Sequence, residues 1–289
     1  MAHSQVHYSD QTKPLIKLFE QLSYRHSRWE VFSDFLLLSA CAVSNTVDPV
    51  HRKEREAEYM KAIKKYGSAD RKLFPQLLAE LVEAMERCAE AGHLEDILGV
   101  VFHELELHNK YKGQFFTPQN IGDMMGAMAV SDRTASGKGY ETVLEPCIGS
   151  GTLVIGFINA IRTKAARPVV ITGVDIDLKC VHMAYLQLSL YGIPAVIIHG
   201  NSLTCEEWSR WYTPVYVAEK WVFREHCGIT SNGPGMLEDE KLKLATEPMY
   251  AAISMVQRLT ANRPEEPPII NTGMMAKKQK TRTIFELMG

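Results

Sequence analysis

The sequence predicts an α/β protein in which a helical N-terminal region precedes a parallel sheet. Three observations predict this fold. Residues 1–110 carry apolar side chains at helical spacing almost throughout. From residue 142 to residue 201, short β-branched and apolar runs alternate with apolar helical stretches. Glycine turns and acidic side chains follow directly after those runs, as in right-handed βαβ units.

The change of pattern near Tyr111 predicts the domain organisation. We expect a helical domain over residues 1–110, a ligand-binding α/β domain over residues 111–260 and a C-terminal tail over residues 261–289. The chain of 289 residues is long enough for two domains.

Composition rules out some classes of protein. The chain is 46% hydrophobic, with 32 basic and 34 acidic side chains and a formal net charge of −2. A protein held to nucleic acid or to a membrane mainly by its global positive charge is therefore excluded. No run approaches the roughly 18 apolar residues of a membrane span, and the six cysteines form no Cys-x-x-Cys pair. We expect a cytoplasmic protein with reduced thiols, without a metal site and without a membrane partner.

Apolar stripes at steps of three and four predict the helices of the N-terminal region. One stripe begins at Leu15, a second runs from Leu77 to Ala89, and a third runs from Ile97 to Leu105. The charged segment His51–Lys65 is interpreted as a solvated helix or a connection.

The α/β region begins with three predicted strands, Thr142–Leu144, Val169–Val174 and Ala195–Ile198. The first leads into the turn Glu145-Pro-Cys-Ile-Gly-Ser-Gly151, the second into Asp175, and the third into Asn201. Parallel sheets bind ligands beyond the carboxyl ends of their strands. These three turns therefore form the candidate binding edge.

The glycine turn by itself allows two interpretations. Gly149 and Gly151 let the backbone turn tightly and approach a ligand, and the following helix presents free N–H groups. Such glycines equally serve the packing of a helix against a strand. Val154 stands where a dinucleotide fingerprint needs its third glycine, so NAD and FAD are disfavoured. Asp175 is placed to bind ribose hydroxyls, or it caps the next helix.

Four segments occur in the order found in adenine-specific DNA methyltransferases: Gly113-Gln-Phe-Phe-Thr-Pro118, Glu145-Pro-Cys-Ile-Gly-Ser-Gly151, Gly173-Val-Asp-Ile-Asp177 and Gly200-Asn-Ser-Leu203. From about residue 95 to residue 203 the chain resembles the N-6 DNA methylase family, and within it the modification subunit of type I restriction systems. The resemblance implies a Rossmann-like, S-adenosyl-L-methionine-dependent methyltransferase domain after the helical domain. It implies DNA, other restriction-modification subunits or a second copy of the chain (a homo-oligomer) as partners.

The resemblance also assigns the cofactor-binding residues: Phe116, Thr117, Pro118, Glu145, Pro146, Gly149, Gly151, Asp175, Ile176 and Asn201. Residues 116–118 would lie against the methionine part of the cofactor, and the glycine turn would form its cradle. Asp175 would hold the ribose, and Ile176 would pack on the adenine face. Asn201 stands where the family usually has Asp, and its carbonyl oxygen would accept a hydrogen bond from the adenine amine.

The family's catalytic motif has no counterpart in the sequence. The family carries (Asn/Asp)-Pro-Pro-(Tyr/Phe) soon after the position of Asn201, because the target amine is a poor nucleophile that needs acceptors and a stacking ring. No Asn-Pro-Pro or Asp-Pro-Pro occurs in these 289 residues, and Tyr212-Thr-Pro-Val-Tyr216 has one proline and no amide or carboxylate. Catalytic residues are therefore unknown. The family's sheet has seven strands, so we expect an incomplete methyltransferase domain.

Two functions remain open at this stage. The first is a DNA adenine methyltransferase with a divergent catalytic loop, completed by a partner. The second is a non-catalytic binding or regulatory protein on the same scaffold, acting in restriction or anti-restriction, which needs a partner or binds no cofactor. The missing proline pair favours the second function on mechanistic grounds.

The segment after Asn201 gives weaker signals. Aromatic residues between Trp208 and Trp221 fall at helix-like steps, and we interpret them as packing rather than as a base-stacking platform because few positive charges accompany them. Val215–Val217 is one of few β-rich runs, and Leu244–Leu259 is expected to be a helix. Cys147, inside the glycine turn, is expected to be a small buried residue rather than a nucleophile.

Overall fold

A computed structural model describes residues 8–107, 116–131, 140–162 and 168–221. Within these ranges seven helices lie before the first strand: α1 Tyr8–Ser23, α2 Arg28–Val47, α3 Arg52–Ile63, α4 Ser68–Arg71, α5 Leu73–Glu90, α6 Ile97–Glu104 and α7 Gln119–Ser131. Strands and helices then alternate: β1 Glu141–Glu145, α8 Thr152–Arg162, β2 Val169–Asp175, α9 Leu178–Leu190, β3 Ala195–Asn201, β4 Glu206–Tyr212 and α10 Pro214–Ala218.

The strands form one sheet in the order β1-β2-β3-β4. The first three are parallel, with Val143 opposite Ile171 and Ile171 opposite Ala195. β4 runs antiparallel to β3, with Trp211 opposite Ile197. The sheet is therefore mostly parallel, with α8 and α9 as crossover helices. This arrangement confirms the predicted Rossmann-like domain, which is incomplete within the described residues because four strands stand where the family has seven.

The core is built from the apolar stripes that the sequence predicts. The stripe of α5 is buried from Leu77 to Ala89, and α6 buries Ile97, Leu98, Val101 and Phe102. The same hydrophobic cluster continues through α8 and α9 to one face of the sheet, where it includes Trp211. The helical region and the sheet therefore share one core, and the domain boundary at residue 110 stays a prediction.

The packing of α7 against α8 is unusually close. A Cβ atom at Gly126 would lie 2.4 Å from the carbonyl carbon of Gly156, and one at Gly156 would lie 2.3 Å from that of Gly122. Helix α7 begins directly after Pro118, and α8 begins directly after Gly151. This backbone contact therefore sets the spacing of two segments predicted to bind the cofactor.

Two expectations about secondary structure are wrong. Trp208 and Trp211 lie in strand β4 rather than in a helix. Because they are three residues apart in a strand, their side chains lie on opposite faces of the sheet: Trp211 is 3% exposed and Trp208 is 51% exposed. The packing interpretation is confirmed for Trp211, Tyr216 and Trp221, which are all buried, whereas Trp208 is half-exposed and packs edge-on against His199. Val215–Val217 lies in α10 rather than in a strand, since Pro214 favours a helix start.

Some expectations concern parts of the chain that the structure does not describe. These parts are Gly113–Phe115, the expected helix Leu244–Leu259 and the tail from residue 261.

In the described part of the chain, helix α2 is long and apolar enough to cross a membrane. However, 67% of its most apolar 18-residue window is buried inside the protein.

Candidate functional site

The carboxyl ends of β1, β2 and β3 meet at one edge of the sheet, where hydrogen bonds join the three predicted turns. The backbone N–H of Gly149 donates to Asp175 Oδ2 at 2.9 Å. The hydroxyl of Ser202 donates to the backbone carbonyl of Pro146 at 2.6 Å. The turn after β1 is thereby tied to the end of β2 and to the turn after β3, which brings Pro146, Gly149, Asp175 and Asn201 to one edge.

The glycine turn needs its two glycines for conformational reasons. Gly149 has a φ of 57° and Gly151 a φ of 105°, which side chains of L residues rarely adopt. A Cβ atom at Gly149 would also lie 3.4 Å from the ring of Phe116. The missing side chain thus lets Phe116 close directly onto the turn.

Asp175 is held by the backbone on both sides. Its Oδ2 accepts from Gly149 N, and its Oδ1 accepts from Asp177 N at 2.9 Å. Burial raises the pKa of Asp175, and these backbone hydrogen bonds oppose the shift. The cap of α9 is Asp177, whose side chain accepts from Lys179 N. Each oxygen of Asp175 keeps a second lone pair, which leaves acceptor capacity for a ligand hydroxyl.

Asn201 and Ile176 follow the ends of β3 and β2. The side-chain oxygen of Asn201 accepts from Leu203 N at 3.0 Å and from Thr204 N at 3.4 Å, which shapes the turn after β3. These bonds occupy the oxygen that the family resemblance assigns to the adenine amine. Ile176 is 61% exposed, so its apolar side chain is open to a flat ligand at the same edge.

The first part of the glycine turn faces solvent. Glu145 Oε1 accepts from Cys147 N at 3.1 Å. Cys147 is exposed, which contradicts the expected burial. The physical reason is that Ile148 fills the buried position of this turn, at 4% exposure, and packs where Gly173 has no side chain.

Residues 116–118 line a cavity of about 450 Å³ between α6 and the start of α7. The ring of Phe116 meets that of Phe102 edge-on, with centroids 4.8 Å apart. The cavity is also lined by four acidic residues, Glu95, Asp96, Glu104 and Asp123. The exposed wall of the cavity is nevertheless mostly apolar, and the carboxylates of Glu95, Asp96 and Asp123 are hydrogen-bonded to other groups of the protein.

A charged cluster lies beside this cavity. His93 Nδ1 is 2.6 Å from Glu95 Oε1, and His93 Nε2 is 3.0 Å from Asp123 Oδ2. The hydrogen bond to Glu95 is the main cause that raises the pKa of His93. Within the described residues, no group of three His, Cys, Asp or Glu side chains could hold a metal ion.

Asp96 is a site residue that the sequence reasoning missed. It is 4% exposed, and it accepts hydrogen bonds from the hydroxyls of Ser150 and of Thr152, the latter at 2.5 Å. One signal was available, since an acidic residue directly before the stripe that starts at Ile97 fits a helix N-cap. Its side chain does cap α6, accepting from Gly99 N at 2.8 Å. Its reach to the glycine turn is a tertiary contact that no local pattern shows.

Part of the sequence matches a known protein family. The family model for N-6 DNA methylase matches residues 94–247. The type I restriction enzyme MpnII methylase subunit of Mycoplasma pneumoniae is 26% identical over 106 residues. This match covers 36% of the chain and 19% of that relative, so the chain spans about a fifth of the relative's length.

Two solved structures also match the chain. One is a protein named as a class I S-adenosylmethionine-dependent methyltransferase of Listeria monocytogenes, with 13% identity, 86% of this chain and 80% of that chain covered, and a TM-score of 0.38. The other is a type I restriction-modification methyltransferase subunit of Streptococcus thermophilus, with 16% identity, 70% and 60% covered, and a TM-score of 0.37. The family model covers more than half of the chain. The protein therefore belongs to the N-6 DNA methylase family, as the order of its motifs predicts.

Proposed function

We propose that this chain binds S-adenosylmethionine at the carboxyl edge of its sheet and serves DNA modification or restriction without transferring methyl groups on its own. One observation carries the proposal: the turn Gly149–Gly151 is bonded to Asp175 and closed by Phe116, beside an acid-lined cavity. When bound, the cofactor would supply an electrophilic methyl group. The residues of this chain would hold and orient the cofactor.

The adenosine half of the cofactor suits the residues after β2. Asp175 keeps acceptor capacity for ribose hydroxyls after its two backbone bonds. Ile176 offers an exposed apolar surface for the adenine ring. Asn201 contributes less than an aspartate would, because its carbonyl oxygen already accepts two backbone hydrogens.

The methionine half suits the segment Phe116–Pro118. S-adenosylmethionine carries positive sulfonium and ammonium groups on an aliphatic chain, and a mostly apolar cavity with carboxylates in its wall suits both features. A cofactor that bridged the glycine turn and this cavity would contact both of the segments that the resemblance assigns to it.

The proposed role in restriction-modification rests on family membership and on the Mycoplasma relative, which is a methylase subunit. We infer partner subunits, DNA as the substrate of the assembly, and action in the cytoplasm. The chain alone is proposed to be inactive because its 289 residues lack the Asn/Asp-Pro-Pro motif. The acceptors that this motif provides for the hydrogens of the target amine are then missing.

Calorimetric titration with S-adenosylmethionine tests the binding step. We expect Asp175→Asn to bind at least tenfold more weakly, because one charge-assisted hydrogen bond is worth about 1.5–3 kcal/mol. Asp177→Asn is the matched control: it removes the same charge two residues away and keeps a residue that caps α9 well. A parent chain that does not bind would establish the cofactor-free alternative. Equal affinity of Asp175→Asn and parent would show that Asp175 does not hold the ribose.

Transfer of labelled methyl groups to unmethylated DNA of varied sequence tests the catalytic step. We expect no incorporation above background by the chain alone. Incorporation that appears on adding restriction-modification subunits would support a partner-completed enzyme. Strong incorporation by the chain alone, lost in Asp175→Asn, would overturn the proposal and restore an active methyltransferase with an unrecognised catalytic loop.

A further inference from the structure

Asp96 is a buried aspartate that joins the helical region to the glycine turn. Its Oδ2 accepts from the hydroxyls of Ser150 and Thr152. Its Oδ1 accepts from the backbone N–H of Gly99 and from Gln187 Nε2, both at 2.8 Å. Asp96 lies before α6, 54 residues from Ser150 along the chain. The contact therefore links two separate parts of the sequence.

These four donors fill the acceptor capacity of the carboxylate. An ionised carboxylate offers about four lone-pair sites. Although Asp96 lines the acidic cavity, it has no acceptor left for a ligand. Burying its charge is costly, and the four charge-assisted bonds offset that cost. Asp96 therefore acts on the turn rather than on a bound molecule.

Gln187 of α9 holds the same turn together with Asp96. Its Nε2 donates to Asp96 Oδ1 and to the backbone carbonyl of Ser150, each at 2.8 Å. Its Oε1 accepts from Leu98 N at 3.1 Å. Since Gln187 is fully buried, its amide is fixed in one orientation. Ser150 is thus held through its hydroxyl and through its carbonyl.

Ser150 stands between the two glycines with positive φ, so the hydrogen bond from Ser150 to Asp96 fixes the middle of the glycine turn. Glycine populates many backbone conformations, so a turn with two glycines keeps one shape only if other contacts fix it. We infer that Asp96 is the positioning residue of the cofactor-binding turn, holding Ser150 and Thr152 so that Gly149 and Gly151 face the ligand. This inference rests on the proposed function and deepens it, because it makes the cofactor site depend on the helical region.

Two readouts on the full chain test the inference. The first is affinity for S-adenosylmethionine by calorimetry, and the second is amide hydrogen exchange of residues 148–152. For Asp96→Ala we expect at least tenfold weaker binding and faster exchange in the turn. For Asp96→Asn we expect affinity within about threefold of the parent, because the hydroxyls of Ser150 and Thr152 can accept from the new amide. This rescue separates a positioning role from a need for charge.

The matched control is Asp34→Ala. Asp34 is another buried aspartate, and in the described part of the chain its hydrogen bonds go to Lys65 and Tyr66 of the helical region rather than to the turn. We expect it to lower thermal stability and to leave both affinity and turn exchange unchanged. An equal loss of affinity in Asp34→Ala and Asp96→Ala would overturn the inference, since general destabilisation would then explain it.

The remaining outcomes are also distinguishable. If Asp96→Ala does not fold, the double variant Ser150→Ala, Thr152→Val removes the same hydrogen bonds from the other side and is expected to weaken binding. If the parent binds and Asp96→Ala, or this double variant, binds equally well, the inference is wrong and the proposed function stands. If the parent does not bind, the proposed function fails, and unchanged turn exchange in Asp96→Ala would overturn the inference separately.

Discussion

His182 couples the stability of the fold to pH through a single buried side chain. Its ring meets Trp211 edge-on, with centroids 4.7 Å apart, and within the described residues its Nε2 has no hydrogen-bond partner. Burial is the main cause that lowers the pKa of His182 to about 3. The side chain is therefore neutral in the folded protein over the whole physiological range.

The sign of the pH dependence follows from the unfolded pKa of about 6.5. Below that pH the unfolded chain takes up a proton that the folded chain does not, so the free energy of unfolding falls between pH 6.5 and pH 3. At pH 5 the expected loss is about 2 kcal/mol. His182→Phe keeps a ring against Trp211 and removes the titration, so we expect a smaller loss between pH 7 and pH 5 in urea unfolding.

His93→Gln is a control of opposite sign. The raised pKa of His93 gives a stabilisation that is complete below pH 6.5 and is lost as the pH rises through the folded pKa. Removing His93 should therefore lower stability mainly on the acid side. If His182→Phe loses as much free energy of unfolding between pH 7 and pH 5 as the parent does, His182 does not cause the loss of stability in acid.

The elements that could be predicted are those whose signal is local. The spacing of apolar residues within each segment predicts the stripe Leu77–Ala89 and the strands β1, β2 and β3. The residues of the binding turns follow these strands directly in the sequence. Parallel strands share one carboxyl edge, which is why Asp175 could be placed near Gly149. β4 was missed because its aromatic spacing fits a helix as well as a strand, and only pairing with β3 decides.

The features that could not be predicted from the sequence depend on long-range contacts. Asp96 reaches Ser150 across 54 residues, and Arg55 reaches Arg210 across 155 residues. A charged residue in a polar segment gives no local sign that it is buried. The charged pattern of His51–Lys65 therefore predicts solvated side chains, and this prediction is wrong for Arg55, which is 4% exposed.

The contact of α7 with α8 gives a prediction at the scale of elements. Gly126→Ala would place a Cβ atom 2.5 Å or less from the backbone of Gly156, so the two helices must separate. Overpacking costs about 1–3 kcal/mol or more, whereas alanine gains about 1 kcal/mol in helix propensity. We expect a net loss of about 1–2 kcal/mol in urea unfolding, together with weaker cofactor binding because the segments at Pro118 and Gly151 move apart.

Gly67→Ala is the matched control for this prediction. A Cβ atom at Gly67 would meet nothing within 4 Å, and the residue has an ordinary negative φ of −68°. The same substitution should therefore change stability by less than about 0.5 kcal/mol. A Gly126→Ala variant as stable as Gly67→Ala would mean that the helices tolerate a wider spacing.

At the scale of the whole molecule, Arg55 of α3 joins the helical region to the sheet. Its Nη1 donates to Asp48 Oδ2 at 2.7 Å and to the hydroxyl of Ser44, both at the end of α2. Its Nη2 donates to the backbone carbonyl of Arg210 in β4 at 2.6 Å. The guanidinium lies 4.0 Å from the centre of the Trp211 ring. One buried cation thus contacts α2 and β4 at once.

We expect Arg55→Ala to lower the free energy of unfolding by up to about 3–5 kcal/mol, because it removes the buried guanidinium from Asp48, whose carboxylate then keeps His51 as its charge partner. Arg55→Lys should recover only part of the loss, since a compact ammonium lacks the planar fork that reaches separate acceptors on α2 and β4 while it stacks on Trp211. Arg52→Ala, on the exposed side of α3, is the matched control and should cost less than about 0.5 kcal/mol. Urea unfolding followed by tryptophan fluorescence and by circular dichroism measures all three. If the helical region and the sheet are joined as one cooperative unit, both probes report one transition in the parent, and two separate transitions there would contradict this view of Arg55.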